Sequence, residues 1–191
     1  MENEIRRDDE LQEEIQEETV YFLARDMVNK PVISVRDGRQ IGKVQDFFIS
    51  HDARQVTAIH LGSEGLLSRK SFLIRTHDVV VMGPDATIVK DTDVVVQQSE
   101  EPETEHWLRR DDFKGRSLTT AGGTKVGKIG DIIVDGHGQV RGFSLGSVDV
   151  SGPIAENRAI ALHAVQNIEG EDGDIIVDLQ EAERQELRVV S

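Results

Sequence analysis

The feature that most constrains this chain of 191 residues is an internal duplication. At a shift of 85, Phe22-Leu23-Ala24-Arg25-Asp26 lies over Trp107-Leu108-Arg109-Arg110-Asp111. At the same shift Gly38-Arg39-Gln40-Ile41-Gly42-Lys43-Val44-Gln45-Asp46 lies over Gly123-Thr124-Lys125-Val126-Gly127-Lys128-Ile129-Gly130-Asp131. Leu23, Arg25, Asp26, Gly38, Gly42, Lys43 and Asp46 are identical in the two copies. One residue is dropped in a polar turn, His51-Asp52-Ala53-Arg54 against Gly136-His137-Gly138, where an indel is tolerated. The match then resumes at a shift of 84, Gln55 to Gly62 over Gln139 to Gly146. Ile74, His77 and Val79 later match Ile160, His163 and Val165. A unit used twice must fold from roughly 70 residues, which limits it to a small architecture.

Within each copy the apolar runs are short and punctuated by turn residues about every 8–12 positions, the pattern of a small β-barrel or sandwich. Val32-Ile33-Ser34-Val35 and Gln40-Ile41 flank Asp37-Gly38, a dipeptide suited to a type I′ hairpin. Phe47-Phe48-Ile49, Val56 to Leu61, Val79-Val80-Val81 and Thr87-Ile88-Val89 follow. In the second copy the corresponding runs are Val126 to Val134, Val140 to Leu145, Ala159 to Leu162 and Asp174 to Leu179. Closure into a barrel would remove the exposed sheet edges of so small a unit. Helix is expected only at the margins, as a turn or two around Leu11 and Ile15 and a short segment from Gln180 to Leu187. The expected fold is therefore all-β: two tandem small barrels at 21–96 and 106–179. An acidic arm (1–20), an acidic linker (97–105) and a tail (180–191), all expected to be marginally helical or disordered, surround them. The polar, proline-containing linker predicts barrels that move independently.

The charge follows the same plan. The net charge is −14, yet residues 27–96 carry nine basic and eight acidic groups and residues 113–168 carry six and four. The acid is concentrated outside these blocks, with ten acidic and three basic groups in residues 1–26 alone. Such an overall balance argues against direct nucleic-acid binding, which needs concentrated Lys and Arg. Without cysteine there is no disulfide, thiolate ligand or cysteine nucleophile. The acidic N-terminus does not resemble a secretory leader, and no apolar run approaches the ~20 residues of a membrane span, so a cytoplasmic location without membrane insertion is expected.

With these residues in place, the chain resembles the PRC-barrel domain family, twice in tandem. Lys30-Pro31-Val32-Ile33-Ser34, Asp37-Gly38 and Ile41-Gly42-Lys43-Val44-Gln45-Asp46 are similar to the opening of that domain. Gly115-Arg116-Ser117-Leu118-Thr119, Gly122-Gly123 and Val126-Gly127-Lys128-Ile129-Gly130-Asp131 repeat it. The resemblance implies small β-barrels without an enzymatic centre or cofactor. The family occurs in the cytoplasmic domain of the photosynthetic reaction-centre H subunit and in the RimM ribosome-maturation factors, as a docking module.

Several motifs resemble catalytic signatures without their context. Gly142-Phe143-Ser144-Leu145-Gly146 has the spacing of a nucleophile elbow, but it falls in a β-run with no following helix. Gly122 to Ile129 nearly matches a phosphate-binding loop, with Ile129 where a hydroxyl must reach Mg²⁺. The histidines His51, His60, His77, His106, His137 and His163 form no zinc-ligand pair, and Gly170 to Asp174 lacks the spacing of a calcium loop. No metal, cofactor or enzymatic activity is expected.

The repeated charged residues are read structurally: Arg25 with Asp46, and Arg110 with Asp131, would tie each entering segment, including Asp26 and Asp111, to its own first hairpin. Gly42 and Gly127 are expected at a bulge or close backbone approach. Leu66, Leu67, Arg69 and Lys70 form the candidate interaction loop, for which the second copy has Ser147 to Asn157 with Pro153. The expected task is that of a non-catalytic adaptor for protein partners, with peripheral association and self-assembly left open. The alternatives are an accessory factor of a photosynthetic or other membrane complex, and a ribosome-assembly factor.

Overall fold

The computed structural model describes residues 20–64, 70–168, 173–184, 187 and 189. The expected N-terminal helix around Leu11 and Ile15 lies outside the described residues. Strand β1 (Tyr21–Leu23) runs into one helical turn, α1 (Ala24–Met27). Strands β2 (Pro31–Ser34), β3 (Gln40–Lys43), β4 (Asp46–Ile49), β5 (Val56–Glu64), β6 (Lys70–Arg75), β7 (Val79–Met82) and β8 (Thr87–Val89) complete the first copy. Strand β9 (Val96–Gln97) leads to β10 (Leu108–Arg109) and α2 (Arg110–Phe113), the equivalents of β1 and α1. The second copy continues with β11 (Ser117–Thr119), β12 (Lys125–Asp135), β13 (Val140–Val148), α3 (Pro153–Asn157), β14 (Ala159–Ala161), β15 (Val165–Ile168) and β16 (Ile175–Val177). Helix α4 (Leu179–Arg184) follows, its first amides at Gln180 and Glu181 bonded to the Asp178 carboxylate.

The fold is all-β, and the two copies arrange equivalent strands differently. In the second, one sheet runs β14-β13-β12-β11-β16-β15. In the first, the strand equivalent to β12 is broken into β3 and β4. The strands divide between a four-stranded sheet, β3-β2-β8-β7, and a five-stranded one, β10-β4-β5-β6-β9.

The strands at the copy entrances are exchanged. β1 pairs antiparallel with β12 of the second copy, Leu23 opposite Ile133, while β10 pairs with β4 of the first, Leu108 opposite Ile49. A second reciprocal contact joins the turns that carry the indel. Val56 N–H donates to the Gly138 carbonyl at 2.8 Å, and Val140 N–H donates to the Arg54 carbonyl at 2.9 Å. Val56 matches Val140 and Arg54 matches Gly138, so each copy gives the other the same bond. Gln55 and Gln139, themselves equivalent, form the bridge between them. The copies therefore face each other about a pseudo-two-fold axis, as two subunits do across an isologous interface.

The core confirms the joining. One continuous apolar cluster holds Phe47, Ile49, Ile59 and Ile74 from the first copy with Leu118, Ile132 and Phe143 from the second. Phe113, on α2, stacks on Phe143 at 5.7 Å. Independently moving barrels are thus not what forms. A contiguous piece of chain from 21 to 96 contains a strand that lies on the other copy, so each copy on its own would leave apolar surface bare.

The linker is marginally helical, as expected, but it is anchored rather than free. β9 pairs antiparallel with β6 at the sheet edge, and two 3₁₀ turns, Gln98–Glu100 and Pro102–His106, follow it. Phe48, Ala58 and Leu73 form a small second cluster there, closed by Val96 and Trp107. Two of the linker's acids are held by Arg75, which pairs with Glu101 and Glu103 and lies 5.2 Å from the Trp107 ring centre. Arg75→Ala is expected to cost about 1–2 kcal/mol and to shift Trp107 emission to longer wavelength. Fluorescence of the chain's single tryptophan reads both in one titration.

The first hairpin differs in type from the sequence expectation. Only Gly38 has a positive φ (69°), whereas a type I′ turn needs two such residues. The turn is instead wider, closed by Gly38 N–H on the Ser34 carbonyl at 2.9 Å.

Candidate functional site

Where the copies meet, the repeated charged residues converge. Asp46 opens β4, Asp131 lies inside β12, and Arg110 opens α2 immediately after the exchanged strand β10. The Arg110 guanidinium is set between both carboxylates, with Nε 3.4 Å from Asp46 Oδ1 and Nη1 3.4 Å from Asp131 Oδ1. Its Nη2 donates to Asp111 at 2.6 Å. Side-chain exposure is 15% for Arg110, 13% for Asp46 and 3% for Asp131, so the cluster is largely withdrawn from water. Arg109 adds a contact at 3.5 Å to Asp46 Oδ2 and lies 4.6 Å from the Phe48 ring centre.

Arg110 does meet Asp131, but the expected Arg25–Asp46 contact is replaced by a cross-copy one. The Arg25 N–H donates to Asp131 Oδ2 at 2.8 Å, while the Arg25 side chain, 59% exposed, turns out to Asp26 at 3.8 Å. The exchange of entrances is the reason, because the segment that carries Arg25 is laid on β12 rather than on β4. Two guanidinium groups on the axis would put like charges in the same buried space. One is admitted, and its twin faces solvent.

Burial pushes the Asp131 carboxyl above its ordinary value, opposed by the Arg25 amide and the Arg110 charge. A carboxylate raised in the folded state penalises the fold once ionised, and the penalty disappears as the pH falls through that raised value. The wild type is therefore expected to gain stability relative to Asp131→Asn as the pH is lowered from 8 to 4.5. Urea midpoints of both forms across that range check the sign. Burial, followed by the Arg109 charge, lowers the pKa of His60, against the opposing Asp46. The His60 Nε2 lies 2.6 Å from Ser71 Oγ.

This arrangement fixes geometry, because Arg110 is shared between the two carboxylates and so ties β4 to β12. A family model, PRC-barrel domain, matches residues 20–96 and again 107–184. The chain belongs to the PRC-barrel domain family. No curated protein matches it. PRC-barrel domains are generally non-catalytic, and in this tandem pair Asp46, Arg110 and Asp131, all shared by both PRC copies, join the halves.

The other expected site residues fall as follows. Leu66, Leu67 and Arg69 lie outside the described residues. Lys70 opens β6, exposed, beside a cleft of about 600 Å³ whose other walls include Ser71, Gln97, Gln98 and Glu101. Gly127 is demanded by space, because a Cβ there would sit 2.2 Å from the Ser147 carbonyl oxygen. Gly42 adjoins a register shift between β2 and β3. A Cβ at Gly42, however, would meet only Leu61 at an ordinary 3.6 Å. Ser144 lies within β13, its hydroxyl 3.3 Å from the Asp131 carbonyl oxygen, so the elbow-like spacing has no elbow. Among the described residues no group of three His, Asp or Glu is arranged to hold a metal ion, and no helix is long and apolar enough to cross a membrane.

Sequence reading overlooked Asp135. It is buried, accepts the amides of His137 and Gln139 at 2.9 and 3.0 Å, and pairs with Arg141 at 2.6 Å. Its first-copy equivalent is Ser50, whose hydroxyl accepts the amides of Arg54 and Gln55 at 3.1 Å. Different side chains brace the same turn, and an identity search across the copies passes over such a pair.

Proposed function

We propose that this tandem PRC-barrel chain is a non-catalytic adaptor that presents the outward elements of a rigid body to protein partners. One observation carries the reading. Of the charged residues common to both copies, Asp46, Arg110 and Asp131 are used to join them, while the first hairpin and the loop after β5 have diverged. The first hairpin shows Val35, Arg36 and Arg39 where the second shows Thr120, Ala121 and Thr124. The loop with Leu66, Leu67, Arg69 and Lys70 likewise differs from its second-copy counterpart, Ser147 to Asn157, which has Pro153 and no leucine pair. A scaffold that holds two diverged surfaces at fixed separation suits recognition, since loops on rigid frames commonly carry it.

Affinity capture from the native host with the wild type and with Leu66→Glu/Leu67→Glu tests this. The adaptor reading expects a small set of proteins in near-equal amounts with the bait, reduced by the variant. Ribosomal proteins in that set would specify an assembly role, and membrane-complex subunits an accessory one. Recovery of no stoichiometric partner would overturn the reading.

A further inference from the structure

The two copies differ most where β3 ends. In the second copy the ladder between β12 and β13 runs through to Lys128 opposite Ser147 and Gly127 opposite Val148. In the first it stops at Asp46 opposite His60. The residues that would continue it, Ser63 and Glu64, pair on their other side with Ser71 and Lys70 of β6. Among the described residues β3 is therefore paired only with β2, and its outer edge is bare. The equivalent edge of the second copy is covered by a strand.

The charge around that edge is one-sided. Residues 30–43 carry Lys30, Arg36, Arg39 and Lys43 against the single acid Asp37. Among the described residues none of these four cations has a carboxylate within ion-pair distance. Val35 through Gln40 and Lys43 are all exposed, and Val35 is 64% exposed at the hairpin. Cations along an edge deter pairing with another copy of itself, and for the same reason they select a strand of opposite charge.

We propose, building on the adaptor reading, that the outer edge of β3 is a docking site for an extended acidic segment of a partner protein. The segment adds as a further strand. Its backbone completes the ladder that β13 completes in the second copy, and its carboxylates meet Arg36, Arg39 and Lys43. The chain's overall charge of −14 opposes such a ligand at long range, and this opposition is screened beyond about 8 Å at physiological salt.

The test uses the full chain and a fluorescein-labelled decapeptide of alternating Glu and Val, read by anisotropy. The wild type is expected to bind it. Arg36→Glu/Arg39→Glu/Lys43→Glu should weaken binding at least tenfold, with an unchanged circular dichroism spectrum. Methylation of alternate amides of the peptide should weaken it similarly, because the ladder can no longer form, and this arm needs no protein variant. Equal binding by the triple variant, equal binding of the methylated peptide, or no binding by the wild type would overturn the site. So would equal affinity for an anionic 20-nucleotide single strand. Host partners captured equally by wild type and triple variant would overturn the β3 site and leave the adaptor reading standing. Absence of partners from both would overturn the adaptor reading itself.

Discussion

Replacement of Arg110 by methionine is expected to destabilise the protein by about 3–5 kcal/mol, the range for removing one partner of a buried ion pair. Methionine keeps much of the stem volume, so the loss reports charge rather than a cavity. Its severity follows from the geometry: Arg110 lies between Asp46 and Asp131, Asp131 is 3% exposed, and Asp46 would keep only the longer contact to Arg109 at 3.5 Å. The matched control is Arg25→Met. That side chain is 59% exposed, and its ion pair among the described residues is with Asp26 at 3.8 Å, so the change should cost no more than about 1 kcal/mol. Urea titrations of the two variants give the comparison. Equal costs would mean that the copies share the charge symmetrically, contrary to the arrangement described.

Gly127→Ala is expected to be the second severe change. The added methyl would lie 2.2 Å from the Ser147 carbonyl oxygen and 3.2 Å from Val148 Cα, both of them backbone atoms that cannot swing aside. Prising β12 from β13 at this point should cost about 3 kcal/mol or more, at the upper end of overpacking penalties. Gly42→Ala, at the equivalent position, meets only the flexible Leu61 side chain at 3.6 Å and should change stability by less than about 1 kcal/mol. Thermal midpoints of the pair separate the two cases. The contrast arises because β13 covers the second-copy edge while the first-copy edge is open.

The pair Gly42 and Gly127 also shows what a sequence can convey here. Their identity at a fixed shift revealed the duplication, and the strand runs around them placed the all-β elements. Identity cannot tell which copy a segment packs against. Leu23, Arg25 and Asp26 equal Leu108, Arg110 and Asp111, so laying each entrance on its own copy or on the other satisfies the pattern equally. Identical residues also conceal the asymmetry at the axis, where room for one cation separates Arg110 from Arg25. The linker's sequence does not show its anchoring for a different reason: Arg75, which pairs with Glu101 and Glu103, comes from β6, more than twenty residues away in the chain.

All of this rests on the copies forming one body. Equilibrium unfolding of the full chain in urea, followed by Trp107 fluorescence and far-ultraviolet circular dichroism together, tests that most directly. Trp107 reports the linker and the first-copy sheet, and circular dichroism reports the strands of both copies. Exchanged strands and a shared core predict one transition with coincident midpoints. Two transitions, or a dichroism change that persists after the tryptophan signal is complete, would show copies that unfold separately and would contradict the account.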